Sequence, residues 1–260
     1  MNGTFFLVVG PSGAGKDTLL DGARQAMADD DAYIFARRTI TRPEDAGSEA
    51  HEAVELSVFE KRAKAGEFLA HWSAHGLRYG ISATLLDDLT SGRHVLANIS
   101  RGAIDQIAEQ YDKLVVLEIA APRDIIAARL AARGRENEKN IQQRLDREVT
   151  PYPSGVELLA IQNDTTPSEG IERFLQTIRR AIPGTLKVRR VPIDTWHENV
   201  CFLHRDCQEY SPADYLGSLK VDIAAGNSSV RAKVNVVEDN SLVAPDEIGL
   251  SQRAFEGLGL

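Results

Sequence analysis

The sequence predicts an α/β protein built on a doubly wound parallel sheet, followed by a second, small β-rich domain. Three observations lead there. From residue 4 to about 182, short apolar runs alternate with helix-compatible stretches, the pattern of buried parallel strands joined by crossover helices. A glycine-rich loop, Gly10-Pro11-Ser12-Gly13-Ala14-Gly15-Lys16-Asp17-Thr18, joins the first apolar run to the first helix-compatible segment. Beyond Ile182-Pro183-Gly184 the pattern shifts to short alternations of apolar and polar residues, the period of half-buried strands. The expected domains are residues 1–182 and 185–260.

Phe5-Phe6-Leu7-Val8-Val9 is the first strand. It is too short for a signal peptide or a membrane span and runs straight into the glycine loop. Strand, glycine loop, Lys and helix in that order form a P-loop. Its glycines let backbone N–H groups converge on phosphate oxygens, and the helix N-terminus adds a favourable dipole. Lys16 reaches the β- and γ-phosphates, so the expected ligand is a nucleoside triphosphate. The residue after the Lys is usually Ser or Thr, whose hydroxyl ligates Mg²⁺. Here it is Asp17, with Thr18 next. A carboxylate is a hard oxygen ligand suited to Mg²⁺, which makes Asp17 and Thr18 the candidate metal residues. The alternative is an acidic side chain stabilising the first helical turn.

The next strands are 33–36, a weaker run, then 95–99, 114–119 and 156–161. Helices are expected over 82–90, 103–111, 122–133, 138–147 and 168–181. In such a sheet, ligands bind outside the carboxyl ends of the strands. In the second domain the alternating runs are Leu186/Val188, Val200/Phe202, Leu219/Val221/Ile223 and Val230/Ala232/Val234/Val236, with a closing helix near 251–258. Gly226-Asn227 sits where a tight hairpin turn is expected.

Composition narrows the class. Hydrophobic content of 43% and charged content of 26% are ordinary for a soluble protein. The net charge of −8 divides into −5 through Ile182 and −3 beyond it, so neither part is a basic nucleic-acid module. No apolar run approaches a membrane span. A cytoplasmic enzyme acting on a small molecule is the expectation. Cys201 and Cys207 flank His204 and Asp206. On a strand the two cysteines face one side and His204 the other, which favours reduced, partly buried thiols over a metal site or a disulfide.

Several clusters carry a resemblance. Arg37-Arg38-Thr39-Ile40-Thr41-Arg42-Pro43, Gly66-Glu67-Phe68, Trp72, His75-Gly76 and Tyr79-Gly80 resemble the substrate-binding region of guanylate-kinase-like proteins. Arg133-Gly134-Arg135-Glu136-Asn137-Glu138, with Ile141 and Arg144-Leu145, resembles their lid, near 133–147. Asn163-Asp164 resembles the segment beside the adenine. The resemblance implies a nucleoside monophosphate kinase-like P-loop fold in which residues 10–18 and Asn163 hold ATP with Mg²⁺. It implies that Arg38, Arg42 and Tyr79 hold the acceptor, and that Lys16, Arg133 and Arg144 stabilise the transferring group. Read from the residues alone, other roles stay open. Only one of Arg37 and Arg38 can face a site if both lie on a strand. Arg144 and Arg147 can pair with Glu138, Asp146 or Glu148 on exposed helix faces. Trp72 and His75 can line a pocket or fill it, and Glu67 reads as structural.

The departures from the guanylate kinase pattern are informative. The places of the two carboxylates that read guanine hold Ala70 and the acid-free stretch Ala97-Asn98-Ile99-Ser100, and an arginine of the phosphate-gripping loop is replaced at Asp45. A site that hydrogen-bonds a base discriminates by about 10⁴–10⁵-fold, so losing those partners argues against GMP. With His51-Glu52-Ala53 and Ala70-His71-Trp72 added, the first domain resembles the ribose 1,5-bisphosphate phosphokinases of phosphonate utilisation. That resemblance implies transfer of the ATP γ-phosphoryl group to the acceptor's 1-phosphate, giving 5-phosphoribosyl 1-diphosphate. The alternatives are a nucleoside monophosphate kinase with altered base recognition and a non-catalytic guanylate-kinase-like interaction module.

Lys187-Val188-Arg189-Arg190-Val191, Ile193-Asp194-Thr195, His204-Arg205-Asp206-Cys207, Asn235-Val236-Val237 and Val243-Ala244-Pro245 resemble the N-terminal β-domain of thymidine-phosphorylase-like and AMP-phosphorylase-like enzymes. Phosphorylase catalytic domains would follow that segment beyond Leu260, so the expectation is an assembly or docking module, possible in a homo-oligomer, or a fusion relic.

Overall fold

The computed structural model describes residues 2–43, 50–132, 152–153, 155–182, 184, 186–207, 209–210, 220–226 and 228–260. The chain divides into two compact units, Met1–Ala181 and Ile182–Leu260.

Unit 1 contains strands β1 (Phe5–Val9), β2 (Tyr33–Phe35), β3 (Thr39–Ile40), β4 (Glu52–Ala53), β5 (Phe68–Ala74), β6 (Leu77–Ser82), β7 (His94–Asn98), β8 (Leu114–Ala120) and β9 (Glu157–Gln162). Its helices are α1 (Lys16–Ala26), α2 (Leu56–Lys64), α3 (Leu85–Thr90), α4 (Ile104–Ala108), α5 (Arg123–Ala132) and α6 (Pro167–Ala181). The central sheet runs β2-β7-β1-β8-β9 with every pair parallel. β1 is central because its five apolar residues can be covered on both faces. Phe5, Leu7 and Val9 enter one core with Leu69, Ala70, Ile81, Ile104 and Ile107, while Phe6 and Val8 point to the opposite face. α1 meets α6 closely at Gly22, where a Cβ would lie 2.2 Å from Ile171 Cδ1. The chain thus delivers the glycine loop from the carboxyl end of a central strand, where sheets of this kind bind ligands.

A second sheet, β4-β3-β6-β5, is a feature the apolar runs did not reveal. Its strands are short and carry the mixed polar motifs of residues 37–82, so no hydrophobic period announces them. β5 and β6 pair antiparallel around His75-Gly76, where both residues adopt positive φ, 54° and 75°. That is the backbone of a two-residue hairpin turn, so His75 belongs to a turn tip. The segment expected to be helical over 82–90 instead gives Ser82 to β6 and begins its helix at Leu85. The helix expected over 138–147 lies outside the described residues.

Unit 2 is a mixed five-stranded sheet of β10 (Lys187–Arg190), β11 (Val200–His204), β12 (Val221–Ala225), β13 (Ser228–Val237) and β14 (Glu247–Leu250), with α7 (Gln252–Gly257) after it. The order is β10-β14-β11-β13-β12. β12 and β13 pair antiparallel across 226–227, of which Asn227 lies outside the described residues. β14, with Gly249 in a four-residue run, escaped the alternation pattern. Cys201, Val230, Ala232, Leu250, Ala254 and Leu258 form its core. Among the described residues no helix is long and apolar enough to cross a membrane.

The structure corrects the argument from strand parity at the cysteines. β11 ends at His204, and Cys207 lies in the following turn, its N–H donating to the His204 carbonyl at 2.9 Å. Cys201 is fully buried and Cys207 half-buried, both unpaired. Burial pushes the Cys201 thiol up to about 12. The thiolate is the reactive form, so at pH 8 Cys201 stays protonated. Titration of the native protein with a thiol reagent at pH 8 is expected to modify Cys207 and spare Cys201, with both reacting in denaturant. Equal rates at both thiols in the native protein would contradict this burial.

Candidate active site

The loop after β1 is built around backbone that only glycine adopts readily. Gly10, Gly13 and Gly15 have φ of 146°, 87° and 96°. A Cβ at Gly10 would lie 2.3 Å from the Ile119 carbonyl oxygen, and one at Gly15 would lie 2.3 Å from Asn163 Nδ2. Gly15 caps α1 without a side-chain hydrogen bond, so the first amides of the helix are directed at the loop mouth, a ready anion site. Lys16 Nζ lies back along the loop, donating to the Gly10 and Pro11 carbonyls at 2.7 and 3.0 Å. Pro11 is exposed and Ser12 half-buried on the rim, whereas Ala14 is buried beneath it.

Two side chains brace the loop from below. Asn163 Nδ2 donates to the Ala14 carbonyl at 2.7 Å, and Arg129 Nη1 reaches the same oxygen at 3.3 Å. Asn163 is itself buried, its N–H donating to Ala120 O at the end of β8. The residue that the resemblance sets beside an adenine thus commits its amide to the shape of the phosphate loop. Arg129 gave no sequence signal, since it reads as one more cation on a helix.

Asp17 Oδ1 accepts from Asn98 Nδ2 at 2.8 Å. Asn98 is buried at the carboxyl end of β7, so the strand orients the carboxylate. Phe35, Ala36 and Leu96 line the same cleft. Thr18 is exposed one position further along α1. Carboxylate and hydroxyl are hard oxygen donors, a set that fits Mg²⁺. Asn98, noted in sequence only as a missing acid, is the group that positions Asp17.

A second cluster of candidate residues lies on the small sheet. Trp72 and Tyr79 face each other across β5 and β6 and stack at 5.5 Å with a 6° interplanar angle. The Arg38 guanidinium lies over the Tyr79 ring at 5.4 Å. Arg37 diverges from it, donating from Nη2 to the His51 carbonyl at 2.6 Å. The Arg42 guanidinium approaches His51 Nδ1 at 3.4 Å. Its Nε is buried and has no hydrogen-bond partner among the described residues. Glu52 and Glu67 both accept from Arg62 at 2.9 Å, which gives Glu67 its structural role. The Thr39 hydroxyl, donating to Glu52 at 2.6 Å, and then Arg62 hold the Glu52 carboxyl below its usual range. Ala70 is 1% exposed and part of the core, so the place that the resemblance gives to a base-reading carboxylate carries a methyl group packed into apolar surroundings.

One further cluster stands at the carboxyl edge of the central sheet. Arg101, just after β7, pairs with Glu118 of β8 and stacks 4.4 Å from the Tyr152 ring. Burial, then the neighbouring Glu118, raises the Tyr152 hydroxyl above its ordinary value. Glu118 is opposite Val9, the last residue of β1 before the loop. The available signal was a carboxylate inside the otherwise apolar run 114–119. Arg133, Arg144, the rest of the expected lid and Asp45 lie outside the described residues.

Known proteins resemble this chain in sequence and in fold. The guanylate kinase family profile matches residues 2–167. The chain is 48% identical over 259 residues to the bifunctional ribose 1,5-bisphosphokinase-thymidine phosphorylase of Azorhizobium caulinodans, covering 100% of this chain and 37% of that protein. It is 38% identical over 258 residues to the protein of the same name from Roseobacter denitrificans, with coverage of 99% and 38%. The chain therefore spans little more than a third of the length of these bifunctional relatives. It is also 40% identical over 184 residues to ribose 1,5-bisphosphate phosphokinase PhnN of Brucella melitensis, covering 71% of this chain and 96% of that protein. Among solved structures, guanylate kinase from Anaplasma phagocytophilum shares the fold at a TM-score of 0.52 and 18% identity, over 71% of this chain and 88% of that one.

The braced loop generates a graded expectation. Gly15→Ala places a side chain at positive φ and against Asn163, and is expected to abolish ATP binding. Asn163→Ala removes one hydrogen bond to the loop and is expected to weaken ATP binding about tenfold, the effect of one such bond, while the protein stays folded. Calorimetric titration with ATP beside a melting curve checks both, and unchanged ATP affinity in Asn163→Ala would refute the bracing role.

Proposed function

The chain belongs to the guanylate kinase family, and from that premise we propose that it is an ATP-dependent phosphotransferase acting on ribose 1,5-bisphosphate, with 5-phosphoribosyl 1-diphosphate as product. The observation that carries this reading is Ala70, buried in the core where a base-reading carboxylate would have to stand. An acceptor with two phosphates and no base suits a wall that keeps Arg38, Arg42 and Tyr79 and lacks that acid. The names borne by the relatives of the kinase unit support the same substrate. An intact glycine loop with Lys16 speaks against a purely non-catalytic module.

Phosphoryl transfer depends on positioning and charge stabilisation more than on covalent participation by the protein. The loop amides and Lys16 hold the β- and γ-phosphates of ATP, Lys16 exchanging the Gly10 and Pro11 carbonyls for phosphate oxygens. Arg38 and Arg42 grip acceptor phosphate, and Tyr79 contributes its hydroxyl. An oxygen of the acceptor's 1-phosphate forms a bond to the γ-phosphorus while the bond from that phosphorus to the β–γ bridging oxygen breaks. ADP leaves with the electron pair. The attacking oxygen is already ionised, so no general base is required. Asp17 and Thr18 would hold Mg²⁺, which when bound neutralises donor phosphate charge. Arg133 and Arg144 close over the transferring group as parts of a lid.

Residues 185–260 serve, in this proposal, as an assembly or docking module. The reaction's need for ATP suits a cytoplasmic location.

Release of ADP from Mg·ATP is expected to be rapid with ribose 1,5-bisphosphate and slow with GMP, and Lys16→Met is expected to lower kcat by about 10²–10³-fold. Preference for GMP would make the chain a divergent guanylate kinase. Deleting residues 185–260 is expected to change the mass in solution or the turnover; if both stay the same, the docking role is lost.

A further inference from the structure

We infer that His51 is a positioning residue of the acceptor grip, orienting Arg42 for a phosphate without spending its charge. This rests on the reading of Arg42 as a phosphate-gripping residue. His51 is 0% exposed, and both of its ring nitrogens face one partner. Nε2 lies 3.0 Å from the Arg42 carbonyl oxygen, and Nδ1 lies 3.4 Å from Arg42 Nη2. A carbonyl only accepts, so Nε2 carries the hydrogen. A guanidinium only donates, so Nδ1 presents its lone pair. One neutral tautomer satisfies both ends, and the imidazole bridges the backbone and the side chain of the same arginine.

The chemistry of the partner distinguishes Arg42 from its neighbours. Arg62 is fixed by Glu52 and Glu67, and Arg101 by Glu118. Those carboxylates cancel the guanidinium charge and leave structural cross-links. Arg42 makes no ion pair among the described residues, and its anchor is a neutral ring. A carboxylate at position 51 would hold Arg42 equally well but would compete with a phosphate for it. A protonated imidazole would repel it. A neutral imidazole fixes direction and preserves the positive charge, which an anion-gripping arginine requires.

The anchor is itself anchored. His51 immediately precedes β4, which pairs parallel with β3 through Thr39 and Glu52, and the Glu52 N–H donates to Arg38 O at 2.8 Å. The His51 carbonyl accepts from Arg37 Nη2. Residues 51 and 52 thus tie down the segment at Arg37, Arg38 and Arg42. The motif His51-Glu52-Ala53, so far only a mark of resemblance, acquires a physical task.

The test is a double-mutant cycle in the full chain, comparing wild type, His51→Ala, Arg42→Ala and the pair, with His51→Asn as the conservative variant. With ribose 1,5-bisphosphate as acceptor, His51→Ala is expected to raise the acceptor KM by about 10- to 100-fold, the scale of a misplaced binding group. The KM for ATP should move less than about twofold, and His51→Asn, which restores an acceptor near Nδ1, should recover part of the loss. In the Arg42→Ala background, His51→Ala should add less than about twofold, since the two act as one unit. An equal loss in both backgrounds, or a parallel rise in the KM for ATP, overturns the proposal. Should His51→Ala fail to fold, His51→Phe replaces it, keeping the volume without the ring nitrogens. If wild type uses GMP and ignores ribose 1,5-bisphosphate, the acceptor assignment fails by itself. The same cycle run with GMP then decides on His51, because Arg42 grips a phosphate in either case.

Discussion

The geometry of unit 1 depends on one backbone oxygen. The Ala14 carbonyl sits at the turn of the glycine loop, where Asn163 from the end of β9 and Arg129 from α5 converge on it. Ala14 and Asn163 are 149 positions apart in sequence, so this bracing forms only when β9 and α5 are in place on one side of β1. A loop whose glycines adopt positive φ would otherwise lose its conformation to the entropy of glycine itself. Burial of β1 on both faces fixes where the loop starts, α1 fixes where it ends, and Asn163 fixes the turn between. Phosphate binding in such a loop is preorganised by the whole sheet.

The same economy governs the charged side chains around the site. Arg62 and Arg101 are paired with carboxylates, and their charges are consumed locally. Arg38 lies over the Tyr79 ring, and Arg42 approaches the His51 imidazole. Neither of these two contacts is made to a carboxylate. Cation–aromatic contact is worth only about 0.5–1 kcal/mol at accessible sites, weak enough for a phosphate to outcompete or to share. At Asp17 the partner is again uncharged: the Asn98 amide orients the carboxylate proposed to hold a cation.

How much of this was legible in sequence varied with the length scale of the signal. The central strands are apolar runs, and 5–9, 114–119 and 156–161 correspond to β1, β8 and β9 within a residue or so. The glycine loop was legible because its chemistry demands a fixed order of residue types over nine positions. The small sheet was not, because β3 and β4 have two residues each and are specified by partners rather than by their own period. Positioning residues were the least visible. Asn98 and Arg129 act through single hydrogen bonds to groups distant in sequence, and one polar residue in a strand or helix carries no pattern; His51 acts on residues 9 and 14 positions away from outside any element. Cys207 shows the converse error, where a periodic argument was carried past the end of the strand that justified it.

Charge arithmetic explains why these local arrangements matter. In the proposed reaction a triphosphate and a bisphosphate meet, each phosphate monoester bringing about −1.5 to −2 at neutral pH, within a unit whose own net charge is −5 through Ile182. Long-range attraction therefore cannot recruit the substrates. At physiological salt, however, charges beyond about 8 Å are largely screened, so the acidic surface of the unit scarcely opposes them either. Only charges within contact distance count. In that proposal the electrostatic burden falls on Lys16, Arg38 and Arg42, on the cation that Asp17 would hold, and on the lid arginines. In a site with so few contributors, a histidine at position 51 can orient Arg42 without adding a negative charge to cancel it.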